Sequence, residues 1–301
     1  MDGEVTGGAA MPPLTQPPDP NPRKPGWQLP PRAVDTHIHL FGPASRFPFD
    51  PRSKYTSADA LPETYLALQD TLGLARAVLV SGGGYGSSTA HLESVLARFP
   101  DRFKGVALLP EDITRVHLTR LDRLGVRGAR FVSQAHGGSV PALSTRLARR
   151  IAELGWHVHF YPHGTDLLEY ADPLLALPND IVIDHFACVP AEGGTGQPAF
   201  QRLLHMLDTG RVWVKLSGPM RCTRDDPPYS ALTPFARMLA SHAPERLVWG
   251  TDWPHVNMNG RAMPNDGALV DLLAEWIPDV KLRQRILVTN PEQLYGFGTH
   301  V

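Results

Sequence analysis

Apolar and polar positions follow two patterns that take turns along this chain. Short runs rich in β-branched and aromatic residues read as strands. They are "AVDTHIH" (33–39), "ARAVLVS" (75–81), "FKGVALL" (103–109), "VRGARFVS" (126–133), "HVHFYP" (157–162), "DIVIDHF" (180–186), "VWVKLSG" (212–218) and "RLVWGTDW" (246–253). Between them apolar residues recur at helical spacing over 61–74, 88–99, 114–124, 142–154, 166–175, 197–207, 233–242 and 267–276. A last helix is expected over about 281–288, ahead of "TNPEQLYGF". Near-continuous apolar strands are buried on both faces, as in a parallel sheet.

Eight strand–helix units in about 270 residues predict an α/β fold, a (β/α)8 TIM barrel. A doubly wound sheet is the competitor, and it carries a glycine-rich phosphate turn after its first strand. Here that strand ends in His-Ile-His, and "SGGGYG" (81–86) lacks the GxGxxG frame. Residues 1–31 are set apart by the prolines that crowd "MPPLTQPPDPNPRKPGWQLPP". Such a segment buries little apolar surface, so a flexible, extended or disordered arm is expected there, with Trp27 its one large aromatic. Residues 32–301 are then expected to form a single barrel domain.

Composition narrows the function classes. Of 301 residues, 42% are apolar and 20% charged, which is ordinary for a soluble globular protein. A formal net charge of −1 argues against nucleic acid or a membrane surface as partner. The acidic start "MDGEVTGGAA" is unlike a secretory signal, and no apolar run approaches the roughly 18 residues of a membrane span. Two cysteines, Cys188 and Cys222, provide neither a disulfide framework nor a CxxC site, which fits a cytoplasmic protein.

A barrel builds its active site at the C-terminal strand ends. Polar residues collect there: His37 and His39 on the first strand, Arg130 on the fourth with His136 beyond, and Tyr161 and His163 on the fifth. Asp184 and His185 follow on the sixth, Lys215 and Arg221 on the seventh, and Asp252 with His255 on the eighth. Each has a bland reading. A strand-end histidine is often only hydrogen-bonded, Arg130 could pair with Asp184, Asp252 could cap its loop, and Tyr161 could pack the rim. His157 and His159 lie earlier on their strand and read as core-filling. The cysteines have no neighbouring base and read as incidental thiols.

With HxH on the first strand, a sixth-strand histidine and "WGTDWPH" on the eighth, the chain resembles the amidohydrolase superfamily, and within it the 2-pyrone-4,6-dicarboxylate hydrolase family of lactonases. The fullest matches are "HIHLFGPASRFPFDPRSKYTSADALP" (37–62) and "VWGTDWPHVNM" (248–258). The resemblance implies a hydrolase that opens a carboxylated lactone. Asp252 would be general base for water, and His37, His39 and His185 would polarise the carbonyl. Tyr55, Arg130, Tyr161 and Arg221 would hold substrate carboxylates. Dicarboxylate-specific members carry an arginine at the position of His136 and a hydroxyl at Gly83. Those departures point to a smaller or less charged lactone, with His136 as a contact.

The wider superfamily binds divalent ions, whereas the pyrone dicarboxylate hydrolases work without metal. No cofactor is therefore expected here. The alternative is one Zn or Mn ion on His37, His39, His163, His185 and Asp252. A small-molecule lactone is the expected partner, and monomer and homodimer both stay open. The alternatives are an aldonolactonase, a sulfomuconolactone or muconolactone hydrolase, and a metal-dependent decarboxylase. A lactone isomerase of this type would carry Asn in place of Asp252.

Overall fold

The computed structural model describes residues 12–133 and 142–298. Eight parallel strands run β1 (Val34–Ile38), β2 (Arg76–Val80), β3 (Phe103–Ala107), β4 (Val126–Val132), β5 (His157–Tyr161), β6 (Ile181–Ile183), β7 (Val212–Leu216) and β8 (Leu247–Trp249). They pair in sequence order, which is the topology of the expected (β/α)8 TIM barrel. Helices follow the strands: α1 (Pro62–Leu72), α2 (Ala90–Arg98), α3 (Arg115–Arg123), α4 (Thr145–Ala152), α5 (Leu167–Leu175), α6 (Pro198–Leu207), α7 (Thr233–His242) and α8 (Asp266–Trp276).

Burial follows the periodicity that predicted these elements. In α4, Leu147, Ala148 and Ile151 are buried while Arg146 and Arg149 are exposed. Each fully buried aliphatic or aromatic side chain adds about 1.5–3 kcal/mol of transfer free energy. The strands contribute mostly fully buried positions, since helices cover the outside and side chains fill the inside.

Two details differ from the sequence reading. Strands β6 and β8 end at Ile183 and Trp249, so Asp184, His185 and Asp252 lie just beyond the ladder. Past 281–288 the chain stays helical: α9 (Val280–Gln284), a π turn over Arg285–Thr289 and α10 (Asn290–Tyr295). Pro291 is tolerated because it falls in the first turn of α10, where no intrahelical N–H is needed.

Residues 12–31 run extended along the barrel. The Thr15 amide donates to Thr56 O at 2.8 Å, and Gln16 Oε1 accepts the Gly260 amide at 3.0 Å. Trp27 donates from Nε1 to Val270 O at 3.1 Å and lies 4.6 Å under the Arg283 guanidinium. Among the described residues no helix is long and apolar enough to cross a membrane.

Candidate active site

His37 lies in β1 and His39 one residue past its end, so both imidazoles leave the same face of the strand. Their Nε2 atoms are 3.3 Å apart. Each is 3.7 Å from Oδ1 of Asp252, and so is Nε2 of His185. Three imidazoles from β1 and the β6 turn thus surround one carboxylate oxygen delivered by the β8 turn. All four side chains are buried.

The turns that deliver them are strained. His185, Phe186, Ala187 and Cys188 have φ of 52°, 52°, 60° and 50°, and Asp252 has φ of 69°. Left-handed backbone costs a non-glycine residue about 1–2 kcal/mol, and such strain collects where function needs a side chain aimed off the regular strand.

Hydrogen-bond partners assign the protons. The His39 Nδ1–H donates to Val80 O at 2.8 Å, so neutral His39 presents a bare Nε2. Nζ of Lys215 lies 3.0 Å from His37 Nδ1 and 3.1 Å from Asp184 Oδ1. Asp184 Oδ1 is 3.4 Å from the same Nδ1, but the ammonium is closer, and by donating to Nδ1 it leaves the His37 proton on Nε2, facing the site. His185 is held through Nδ1 by Ser217 Oγ at 2.9 Å. Burial, reinforced by nearby cations, lowers His39 and His185 to about 4 and holds His37 well below its usual value. All three are neutral at pH 7. Burial also brings Lys215 down to about 8, against the pull of Asp184.

Oδ2 of Asp252 accepts Arg221 Nε at 3.1 Å and Nη2 at 2.9 Å. Burial would raise this carboxyl, yet Arg221 and the three imidazoles outweigh it and hold Asp252 well below the usual range. Arg221 also donates to Val256 O at 2.7 Å.

Arg130 donates from Nε to Asp184 Oδ2 at 3.0 Å and lies 4.9 Å over the Tyr161 ring. Its pairing with Asp184 is real, and the same guanidinium stays beside the mouth. Tyr161 is half-buried, its ring edge-on to His185 at 5.2 Å between centroids. The Tyr55 hydroxyl accepts the Gly84 amide at 3.2 Å within a cluster of Phe41, Phe49 and Tyr85. Tyr85 is committed to structure: its hydroxyl accepts the Gly42 amide at 2.7 Å.

Of the expected residues, one does not join the group and one is not described. His136 lies outside the described residues. His163 is exposed beyond β5, because the chain turns there into the 3-10 turn Gly164–Asp166, so the expected ligand set loses its fifth-strand member. The β5 histidines read as core-filling do bond one another, His159 Nε2 to His157 Nδ1 at 2.9 Å. Lys215, Asp184 and Ser217 orient the histidines. Lys215 and Asp184 are strand-end candidates in the sequence, and the alternation of "VKLS" at the end of β7 is the one sequence signal for Ser217.

The donor atoms have the spacing of a metal site. Separations of 3.3 and 3.7 Å are edges of a tetrahedron whose centre lies about 2.0–2.3 Å from each corner, as for Zn. His37, His185 and Asp252 bring donor atoms within 4.8 Å of one another. These three fit one divalent ion, provided Lys215 turns its proton from His37 to Asp184, and His39 falls outside that set. Such an ion would polarise a carbonyl or activate water.

The amidohydrolase family model matches residues 34–297. The chain belongs to the amidohydrolase family. The 2-pyrone-4,6-dicarboxylate hydrolase of Comamonas testosteroni is 38% identical over 91% of this chain and 93% of its own. The 4-sulfomuconolactone hydrolase of Rhizobium radiobacter is 37% identical over 90% and 92%. Among solved structures, the apo form of an Agrobacterium tumefaciens protein superposes with a TM-score of 0.83 at 30% identity, over 91% of this chain and 99% of that one. The resemblance read from HxH, "IVIDH" and "WGTDWPH" is thereby borne out.

Proposed function

We propose that this chain is a metal-free hydrolase of a carboxylated lactone, similar to 2-pyrone-4,6-dicarboxylate hydrolase. The observation that carries the reading is the single carboxylate oxygen ringed by three imidazoles at 3.7 Å. Water sits between Asp252 Oδ1 and the bare Nε2 of His39. The lactone carbonyl takes the His37 Nε2–H, with His185 beside it. Asp252 accepts the water proton as hydroxide adds to the carbonyl carbon, and the oxyanion is met by donors already in place. Collapse breaks the ring C–O bond, and Asp252 returns the proton to the departing enol or alcohol oxygen.

Arg221 gives this arrangement its dependence on a carboxylate. Bidentate on Oδ2, it weakens Asp252 as a base. A substrate carboxylate that draws the guanidinium away restores basicity at the moment of binding. Arg130, Tyr55 and Tyr161 complete the carboxylate-binding rim, and His136 takes the remaining polar group. The Lys215 ammonium, the Arg130 and Arg221 guanidiniums and the proton on His37 Nε2 together oppose a cation, which favours the metal-free reading.

The test is a screen of purified protein against 2-pyrone-4,6-dicarboxylate, sulfomuconolactone and aldonolactones, with metal content and turnover measured before and after chelation. Turnover of a carboxylated lactone that survives chelation is expected. A stoichiometric ion whose removal abolishes turnover would establish the metal alternative. Asp252→Asn is expected to fold normally and to lower kcat by about 10²–10⁴, the usual worth of a general base.

A further inference from the structure

The two strands that carry the reacting groups are joined in an unusual way. The ladder runs in order from β1 to β8. Among the described residues, the ladder pairing from β8 back to β1 is reduced to the isolated bridge Ile38–Trp253, and the Thr36 hydroxyl donates across the same seam to Trp249 O at 2.9 Å. Two backbone bonds accompany that bridge: the His39 amide donates to Trp253 O at 2.7 Å, and the Asp252 amide to His37 O at 2.9 Å. One step deeper, Gly250 leaves no room for a side chain. A Cβ there would lie 2.7 Å from His37 N and 2.9 Å from Asp35 Oδ1.

Asp35 occupies that gap. Its Oδ1 accepts the His37 amide at 3.1 Å and the Thr251 amide at 3.0 Å, one donor from each strand end. Its Oδ2 accepts the Thr251 hydroxyl at 2.6 Å and the Tyr65 hydroxyl of α1 at 3.0 Å. Thr251 Oγ1 in turn accepts the Trp253 amide at 3.1 Å. Asp252 therefore lies between two residues tied, directly or through one hydroxyl, to this carboxylate. Its left-handed φ persists because the surroundings over-determine it.

A fully buried carboxylate is a poor device for stability alone, because desolvation offsets much of what its hydrogen bonds return. We propose that Asp35 is a positioning residue: it clamps the β1/β8 seam so that Asp252 Oδ1 stays in register with the imidazoles of His37 and His39. This rests on the reading of Asp252 as base and His37 as carbonyl donor. A seam that slips by a fraction of an ångström leaves the substrate rim of Arg130, Tyr55 and Tyr161 intact while separating base from donor. The expected signature is a loss in kcat with KM unchanged.

The test compares four single variants of the full chain on the lactone that the screen identifies. Asp35→Asn has the same shape but offers an amide to donors. It is expected to lower kcat about 10- to 100-fold with KM within about threefold, at unchanged circular dichroism. Thr251→Val keeps the amide bond to Oδ1 and loses only the hydroxyl, so a fall of about three- to tenfold in kcat is expected. Tyr65→Phe removes the bond from α1 but keeps the three bonds that Asp35 accepts from His37 and Thr251 across the seam, and should keep kcat. An Asp35→Asn protein that keeps kcat and only melts earlier would overturn the clamp. If Asp35→Asn does not fold, a Thr251→Val protein with kcat equal to that of Tyr65→Phe would overturn it instead. Asp252→Asn separates the two claims, since turnover surviving in that variant sinks the base assignment and not the clamp. If no lactone in the panel is hydrolysed, the His37 and His39 Cε1–H NMR resonances replace kcat. They are expected to shift in Asp35→Asn and Thr251→Val but not in Tyr65→Phe, and unshifted resonances would overturn the clamp.

Discussion

Two His-x-His pairs occur in this barrel, His37–His39 on β1 and His157–His159 on β5, and they are put to different uses. The β1 pair ends its strand, so its Nε2 atoms reach the mouth and face Asp252. The β5 pair begins its strand, one full layer down, where the two rings bond each other and pack on Tyr295. Spacing alone does not distinguish them. Position along the strand does, because only the C-terminal end of a barrel strand opens onto the site. The β5 pair still connects upward: His159 Nδ1 is 3.9 Å from Asp184 Oδ1, which Lys215 also holds, while Arg130 holds Oδ2.

The sharpest way to break this contrast is to truncate one member of each pair. His37→Gln removes an oxyanion donor and is expected to lower kcat by about 10²–10³ at unchanged stability in urea. His159→Gln should instead keep kcat within about fivefold and cost about 1–3 kcal/mol of stability, the penalty of leaving buried polar groups unpaired. Equal losses of kcat in both would erase the distinction.

A smaller effect comes from the lysine that sets the His37 tautomer. With Lys215 near 8, kcat should fall above about pH 8 as the ammonium loses its proton and stops donating to His37 Nδ1. Lys215→Arg keeps the charge, so its alkaline limb should move beyond pH 10. An unmoved limb would take Lys215 out of this role.

The mildest expected effect is on stability against pH. His39 and His185 titrate near 4 and His159 near 3 in the folded chain, below the 6.5 of an unperturbed histidine. Between those values the unfolded chain binds more protons, so stability rises with pH through that window and is lost as pH falls from 6.5 towards 4. Each group contributes at most about 1.4 kcal/mol per pH unit. Urea unfolding at pH 7.5, 6 and 5 should show this slope, reduced by one such step in His185→Gln.

Much of this molecule was legible in advance. The eight strands show as apolar runs, and the helices as 3.6-residue periodicity, because burial on one face or two leaves a direct imprint on residue type. The candidate residues were legible as types at strand ends. Most of their partners were not. Arg130 on Asp184 is one of two readings the sequence leaves open, whereas Arg221 on Asp252 and the outward turn of His163 depend on how separate loops bend once their strands have ended. Asp35 was hidden for another reason: on a strand buried throughout, one more polar residue before HxH carries no distinguishing mark until its four donors are seen.

The linear order of residues by itself determined the barrel, the family and the short set of groups able to do chemistry, since periodicity and motif spacing are local properties. The tertiary structure decided which imidazole carries its proton towards the site, which oxygen of Asp252 is open, and how β1 meets β8. Those are matters of sub-ångström contact between segments some 200 residues apart, such as Asp35 and Thr251, and only the closed barrel brings them together.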